Sequence, residues 1–199
     1  NINYFLKYDK ILGMSGTLGS EASQDFLKDI FNIELGFMPT YKDKQCVELT
    51  PVIATTKQDH TDKILQSAIK EADTHQRAVL VVCNSIQEVD ELCNILKGKC
   101  KSATKIINYS RSEEKFYNYE IEEVTKPNTI IVATALAGRG TDIKTSVQVE
   151  ENGGLHVIGT FIASNAREED QIKGRTARQG NSGTYQNIIL DREYYNDSL

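Results

Sequence analysis

The sequence lacks the patterns that announce a bound metal, a covalent nucleophile or a membrane span. Its four cysteines are Cys46, Cys83, Cys93 and Cys100; no two form a CxxC pair, and none stands beside a histidine at zinc-ligand spacing. Cys83 ends an apolar run and Cys93 falls on the apolar face of an expected helix, so both read as small core residues of a reducing compartment. No arrangement of Ser, His and Asp, or of Cys and His, suggests nucleophilic catalysis, and no metal constellation is visible. No apolar run approaches the roughly 20 residues of a membrane span. Positive charge is short: 23 Lys and Arg stand against 28 Asp and Glu, a net charge of -5. That balance argues against a broadly basic nucleic-acid surface. There is no GxxxxGK[ST] phosphate loop, and no acidic run after a strand that would hold magnesium. Internal repeats and low-complexity tracts are absent. The chain does not begin with Met and is expected to be a piece of a longer protein.

What remains is an alternating pattern. A short helix is expected over residues 1–11, then a turn through Ser15-Gly16-Thr17, whose hydroxyls are suited to orienting a nearby loop. Ser20 is placed to cap a helix running to residue 30, with Phe26, Leu27, Ile30 and Phe31 on its apolar face. Pro39 breaks the pattern, and residues 40–50 read as a polar linker. Strands are expected at 52–55, 78–83 (AVLVVC), 105–108, 129–133 (TIIVA), 155–159 (LHVIG) and 184–190. Helices are expected at 62–73, after the capping box of Ser85 and Glu88 as far as Gly98, and at 112–124, where the charges read as a solvated acidic face. Strands that alternate with helices imply an α/β fold: a mainly parallel sheet, helices on both faces, three layers. Ligands of such sheets bind at the carboxyl ends of the strands. His156 sits among apolar residues and reads as a hydrogen-bonded core histidine, while His60 and His75 read as solvated.

Two arginine-bearing stretches carry the chemistry. Thr134-Ala135-Leu136-Ala137-Gly138-Arg139-Gly140-Thr141-Asp142 follows a buried strand. Gly138 and Gly140 permit close backbone approach, Arg139 suits a phosphate, and Asp142 suits a hydroxyl or an arginine. The second stretch is Gln171-Ile172-Lys173-Gly174-Arg175-Thr176-Ala177-Arg178-Gln179-Gly180. Asn165 and Glu168 cap it, and it is expected to continue as one helix. Gln171, Arg175 and Arg178 would then share a face. Gly174 inside that helix costs about 1 kcal/mol relative to Ala, which suggests close backbone approach. Two forked, permanently charged donors suit phosphate oxygens, although a solvated face of surface arginines competes with that reading. Arginines fit for a triphosphate, without a loop to cradle one, suggest arginine fingers acting on a nucleotide held by another unit.

The order of SGT, the strand before Asn84-Ser85, ATALAGRGTD, NGGLHVIGT and QIKGRTARQG resembles the second motor domain of SecA-type ATPases, relatives of the superfamily-two helicases. The likeness runs from Tyr4 to about Asp191. It implies a RecA-like domain over 51–199, with 1–50 as the end of a first motor domain plus a linker. It implies that ATP with Mg2+ is held mainly by that first motor domain. Arg139 and Asp142, with Gly138 and Gly140, match the family's fifth motif; Gln171, Gly174, Arg175 and Arg178 match the sixth, whose arginines approach the γ-phosphate. Residues 161–167 (FIASNAR) stand where the family usually has ERHESRR, Asn181 replaces an Asp and Ala177 a Gly. These departures bear on preprotein translocation more than on nucleotide contact. The implied partners are a polypeptide substrate and a membrane translocon, and the implied location is the cytoplasm, peripheral at a membrane. A helicase C-terminal domain acting on RNA or DNA, and a catalytically silent interaction module of the same fold, are the alternatives.

Overall fold

The computed structural model describes residues 2–110, 124–135 and 142–191. The acidic helix expected over 112–124 therefore lies almost wholly outside the described residues. Two compact units form: residues 42–162 with 172–199, and residues 1–41 with 163–171.

The larger unit is a sheet covered on both faces. Its strands are β1 (Gln45–Glu48), β2 (Val52–Ala54), β3 (Ala78–Cys83), β4 (Lys105–Tyr109), β5 (Thr129–Thr134), β6 (Leu155–Gly159) and β7 (Ser182–Leu190). The order is β1-β7-β6-β3-β5-β4, with β2 also on β7, and every pairing among the described residues is parallel. β1 and β2 follow one another along the same edge of β7, at Ser182–Tyr185 and Ile188–Leu190. β1 thus occupies part of the stretch read as a polar linker. A short edge strand carrying Gln45 and Glu48 leaves little apolar periodicity to read.

Alternation along β3 divides the core. Val79, Val81 and Cys83 join Ile130, Val132 and Ile158 on one face, while Ala78, Leu80 and Val82 join Ile131, Ala133 and Val157 on the other. Each fully buried Val or Leu contributes roughly 1.5–3 kcal/mol, so the central strands anchor the unit. The first face is covered by α3 (Lys57–Ile69) and α4 (Ile86–Lys99), through Ile64, Leu65, Ala68, Val89, Leu92, Cys93 and Leu96. Cys93 and Cys83 are core residues, and burial pushes the thiol of Cys93 up to about 11. The other face receives Val149 of a short helix over Val147–Glu151, here called α5, and Ile172.

Capping explains two boundaries. α4 begins where expected, because Ser85 Oγ accepts from Glu88 N at 3.2 Å. α3 begins five residues before the expected start, because Thr56 Oγ1 accepts from Asp59 N at 3.1 Å. That extension carries His60 inward. His60 is buried, with Nε2 2.8 Å from the carbonyl of Ile188, and is not the solvated histidine that its polar neighbours suggested. α3 runs on as one π-helical turn over Lys70–Thr74.

In the smaller unit, α1 (Ile2–Phe5) and α2 (Glu21–Phe31) meet through Phe5 and Phe31, whose rings stand edge to face with centroids 6.0 Å apart. Ser20 caps α2 as expected, and Asn32 ends it in the left-handed region at φ 49°. The expected apolar face of α2 holds no buried residue. α6 (Ala166–Lys173) starts in this unit and ends in the larger one. Within the smaller unit Thr17 Oγ1 donates to Asp170 of α6 at 3.2 Å.

Candidate functional site

The helix expected to carry the arginines stops at Lys173. Gly174 removes the side chain that would favour continuation. Thr176 then turns its hydroxyl into the sheet, donating to the Leu155 carbonyl at 2.6 Å. Ala177 adopts φ 53°, left-handed backbone that ends any helix, and residues Arg178–Gly180 make one 3-10 turn. Gln171, Arg175 and Arg178 therefore do not share a helix face. Gln171 belongs to α6, whereas Arg175 and Arg178 lie on the connection into β7.

The two arginines nevertheless line one cavity, of about 330 Å³, whose wall includes Asp142, Lys144, Thr145, Glu150 and Asn181. Arg175 is buried, 8% exposed. Arg178 is half-exposed; its Nη1 meets Asp142 Oδ1 at 2.7 Å and its Nε donates to the Gly174 carbonyl at 2.8 Å. A surface pair of this kind contributes about 0–1 kcal/mol. Thr145 Oγ1 donates to Glu150, whose second carboxylate oxygen is buried without a partner among the described residues. The cavity is walled by Leu155 and Ser182 at the amino ends of β6 and β7, not by the carboxyl ends that parallel sheets usually offer their own ligands. Gly138, Arg139 and Gly140 lie outside the described residues. Among the described residues no group of three or more His, Cys, Asp or Glu could hold a metal ion. Nor is any helix among them long and apolar enough to cross a membrane.

Beside this cavity lies a buried polar cluster that gives no local sequence signal. Arg77, 7% exposed, donates from Nη1 to Glu71 at 3.0 Å, from Nε to the Gly154 carbonyl at 2.9 Å, and from Nη2 to the Gly153 carbonyl and Thr184 Oγ1, both at 2.8 Å. Burial alone would raise the pKa of Glu71, but the hydrogen bond from His75 and the charges of His156, Arg77 and His75 outweigh it and hold the carboxyl below its usual range. Gly153 and Gly154 have φ of 98° and 75°, and a Cβ on Gly154 would overlap the Ser182 carbonyl. His75, read as solvated, is half-exposed and pairs with Glu71 at 3.1 Å.

His156 is the expected core histidine. Thr184, already accepting from Arg77, has its hydroxyl hydrogen free for His156 Nδ1 at 2.6 Å. His156 Nε2 then donates to Ser67 Oγ at 3.4 Å, and Ser67 Oγ donates in turn to Gln186 Oε1 at 3.2 Å. Burial, opposed by Glu71 and reinforced by Arg77 and His75, lowers the imidazole's pKa from 6.5 to about 4. Between those values the unfolded chain binds a proton that the folded chain refuses, so stability falls as pH drops through that window. About 2 kcal/mol should be lost at pH 5 relative to pH 7. Urea unfolding at both pH values checks this; His156→Gln should flatten the difference, and an equal difference in that variant would refute the assignment.

The comparisons with known proteins agree with this architecture. The family model described as "SecA P-loop domain" matches residues 47–151. The protein translocase subunit SecA of Syntrophus aciditrophicus (strain SB) is 33% identical over 184 residues, covering 92% of this chain and 21% of that protein. That of Amoebophilus asiaticus (strain 5a2) is 34% identical over 194 residues, covering 94% and 16%. The chain thus spans about a fifth of the length of the curated relatives it matches. Among solved structures, the DEAD-box helicase Mss116 bound to ssRNA and UDP-BeF superposes with a TM-score of 0.63 at 18% identity, covering 90% of this chain and 36% of that one. The E. coli DEAD-box protein SrmB, bound to regulator of ribonuclease activity A, gives 0.58 at 20% identity, covering 75% and 81%. At such identities these likenesses show the fold alone, a RecA-like one. The chain belongs to the SecA P-loop domain family.

Proposed function

We propose that this chain is the second motor domain of a SecA-like ATPase. It supplies Arg175 and Arg178 as arginine fingers to ATP bound, with Mg2+, by a first motor domain of the same protein. Cleft closure around the nucleotide and its release then drive movement of a polypeptide. The observation that carries this reading is the convergence of Asp142 with Arg175 and Arg178 on one cavity, bringing together residues 36 positions apart in the chain. Arg175 is buried and lines this cavity together with Lys144 and Arg178, a set of cations that suits phosphate oxygens, whose developing charge such donors stabilise. Arg178 would exchange Asp142 for the γ-phosphate as the cleft closes. Arg139, between Gly138 and Gly140, would face the same nucleotide, and Gln171 and Gly174 would lie beside it, in roles carried by the family likeness. A polypeptide and a membrane translocon are the partners this reading implies, at the cytoplasmic side of a membrane.

Steady-state ATPase measurements separate this reading from its competitors. The isolated chain should show negligible turnover, and the full-length protein should be stimulated by unfolded polypeptide. Stimulation by RNA instead, with steep salt dependence, would establish the helicase reading, although the charge of -5 weighs against it. Nucleotide binding with no turnover under any condition would establish the silent module.

A further inference from the structure

Arg175 lies in a turn beyond the end of α6, where its N donates to the Ile172 carbonyl at 3.1 Å and Thr176 N to the Lys173 carbonyl at 3.4 Å. No helix encloses it after Lys173, and Ala177 turns the chain left-handed immediately beyond it. The residue between them, Thr176, is 2% exposed, and its hydroxyl ends on the Leu155 carbonyl at 2.6 Å. Across the segment, Gly183 allows close approach: a Cβ there would overlap Thr176 Oγ1 and lie 2.9 Å from Ala177 N. The acceptor is fixed as well. Leu155 directly follows Gly153 and Gly154, and both glycine carbonyls are bound by Arg77, itself braced by Glu71 and Thr184. A chain of short hydrogen bonds therefore leads from the π-helical turn after α3, through Arg77 and the glycine turn, to Thr176 and the arginine beside it.

We propose that Thr176 is a positioning residue for Arg175, with Arg77 fixing the carbonyl on which Thr176 hangs. This rests on the reading that Arg175 acts on a nucleotide phosphate. Thr176 touches no reacting atom. Its hydroxyl sets where the backbone of residue 175 starts, and so where the guanidinium ends. Val has the shape of Thr without the donor; it loses the bond to the Leu155 carbonyl and with it the tie that fixes the segment. Ser keeps the donor.

The test uses the full-length protein, with turnover expressed per nucleotide-binding site so that an unfolded fraction does not count. Thr176→Val should lower kcat about 10- to 100-fold, as expected for a displacement near 1 Å of a charge-stabilising group. Its KM and its affinity for ADP should stay within about twofold of wild type, the pattern of an interaction made only in the transition state. Thr176→Ser should recover most of that loss. If Thr176→Val does not fold, Thr176→Cys, of similar size with a weak S–H donor, should show the same fall in kcat at constant KM. Wild-type kcat in the folded Val or Cys variant, alongside an inactive Arg175→Ala, overturns the positioning role while leaving the finger intact. Wild-type turnover in Arg175→Ala overturns the finger and the positioning role together.

Discussion

Arg175→Ala in the full-length protein should lower the ATP turnover number by about 10³-fold or more while leaving nucleotide affinity almost unchanged. The asymmetry follows from when the guanidinium meets its partner. A finger contributed across a cleft engages charge that develops on the transferring phosphoryl group and adds little to ground-state binding, so its loss falls on kcat. Arg175 is the stronger candidate of the pair. It is buried at 8% exposure, where the local dielectric is low and a charge–charge contact is worth more than at the surface. Arg178 is half-exposed and already paired with Asp142 at 2.7 Å. Its truncation should cost less, because water and a counter-charge compete for it. Turnover and nucleotide affinity, measured side by side in both variants, check the order. Near-normal turnover in Arg175→Ala would refute the finger assignment.

Arg77→Ala should destabilise the larger unit by about 3–5 kcal/mol, the usual consequence of removing one partner of a buried ion pair. Glu71 would be left as a buried carboxylate whose remaining hydrogen-bond partner is the half-exposed His75, and the carbonyls of Gly153 and Gly154 would lose their donors. In a chain of this size such a loss lowers Tm by roughly 10 °C. Adding Glu71→Gln to Arg77→Ala should recover part of it by removing the orphaned charge. Urea unfolding of the three variants measures the effect. A loss below about 1 kcal/mol for Arg77→Ala would mean that the cluster contributes little to stability.

These two sites differ in how far the sequence discloses them. The core strands are legible because runs such as AVLVVC are apolar on both faces, and their shortness and β-branching favour a strand covered from both sides over a buried helix. The capping box of Ser85 and Glu88 is local, so it is legible too. The arginine stretch is half legible. Its residue types and spacing point to phosphate, but a period of 3.6 suggests a continuous helix where tertiary contact overrides it. The hydroxyl of Thr176 finds a carbonyl 21 residues away, and Gly183 admits it. The two arginines still meet the same cavity because the 3-10 turn folds Arg178 back toward Gly174. Arg77 is not legible at all. It is one arginine in a polar stretch before a strand, and its partners on Gly153 and Thr184 lie 76 and 107 residues away. His60 is misread for a related reason: its neighbours are polar, but helical geometry turns it toward Ile188, 128 residues on.

The most direct measurement compares the affinities of the full-length protein for ADP and for ADP with aluminium fluoride, a mimic of the planar phosphoryl group in the transition state, in wild type and in Arg175→Ala. The wild type should bind the mimic at least about 100-fold more tightly than ADP, and Arg175→Ala should lose most of that preference while keeping its affinity for ADP. An undiminished preference in Arg175→Ala would contradict the claim that Arg175 reaches the phosphate of a nucleotide held by another domain.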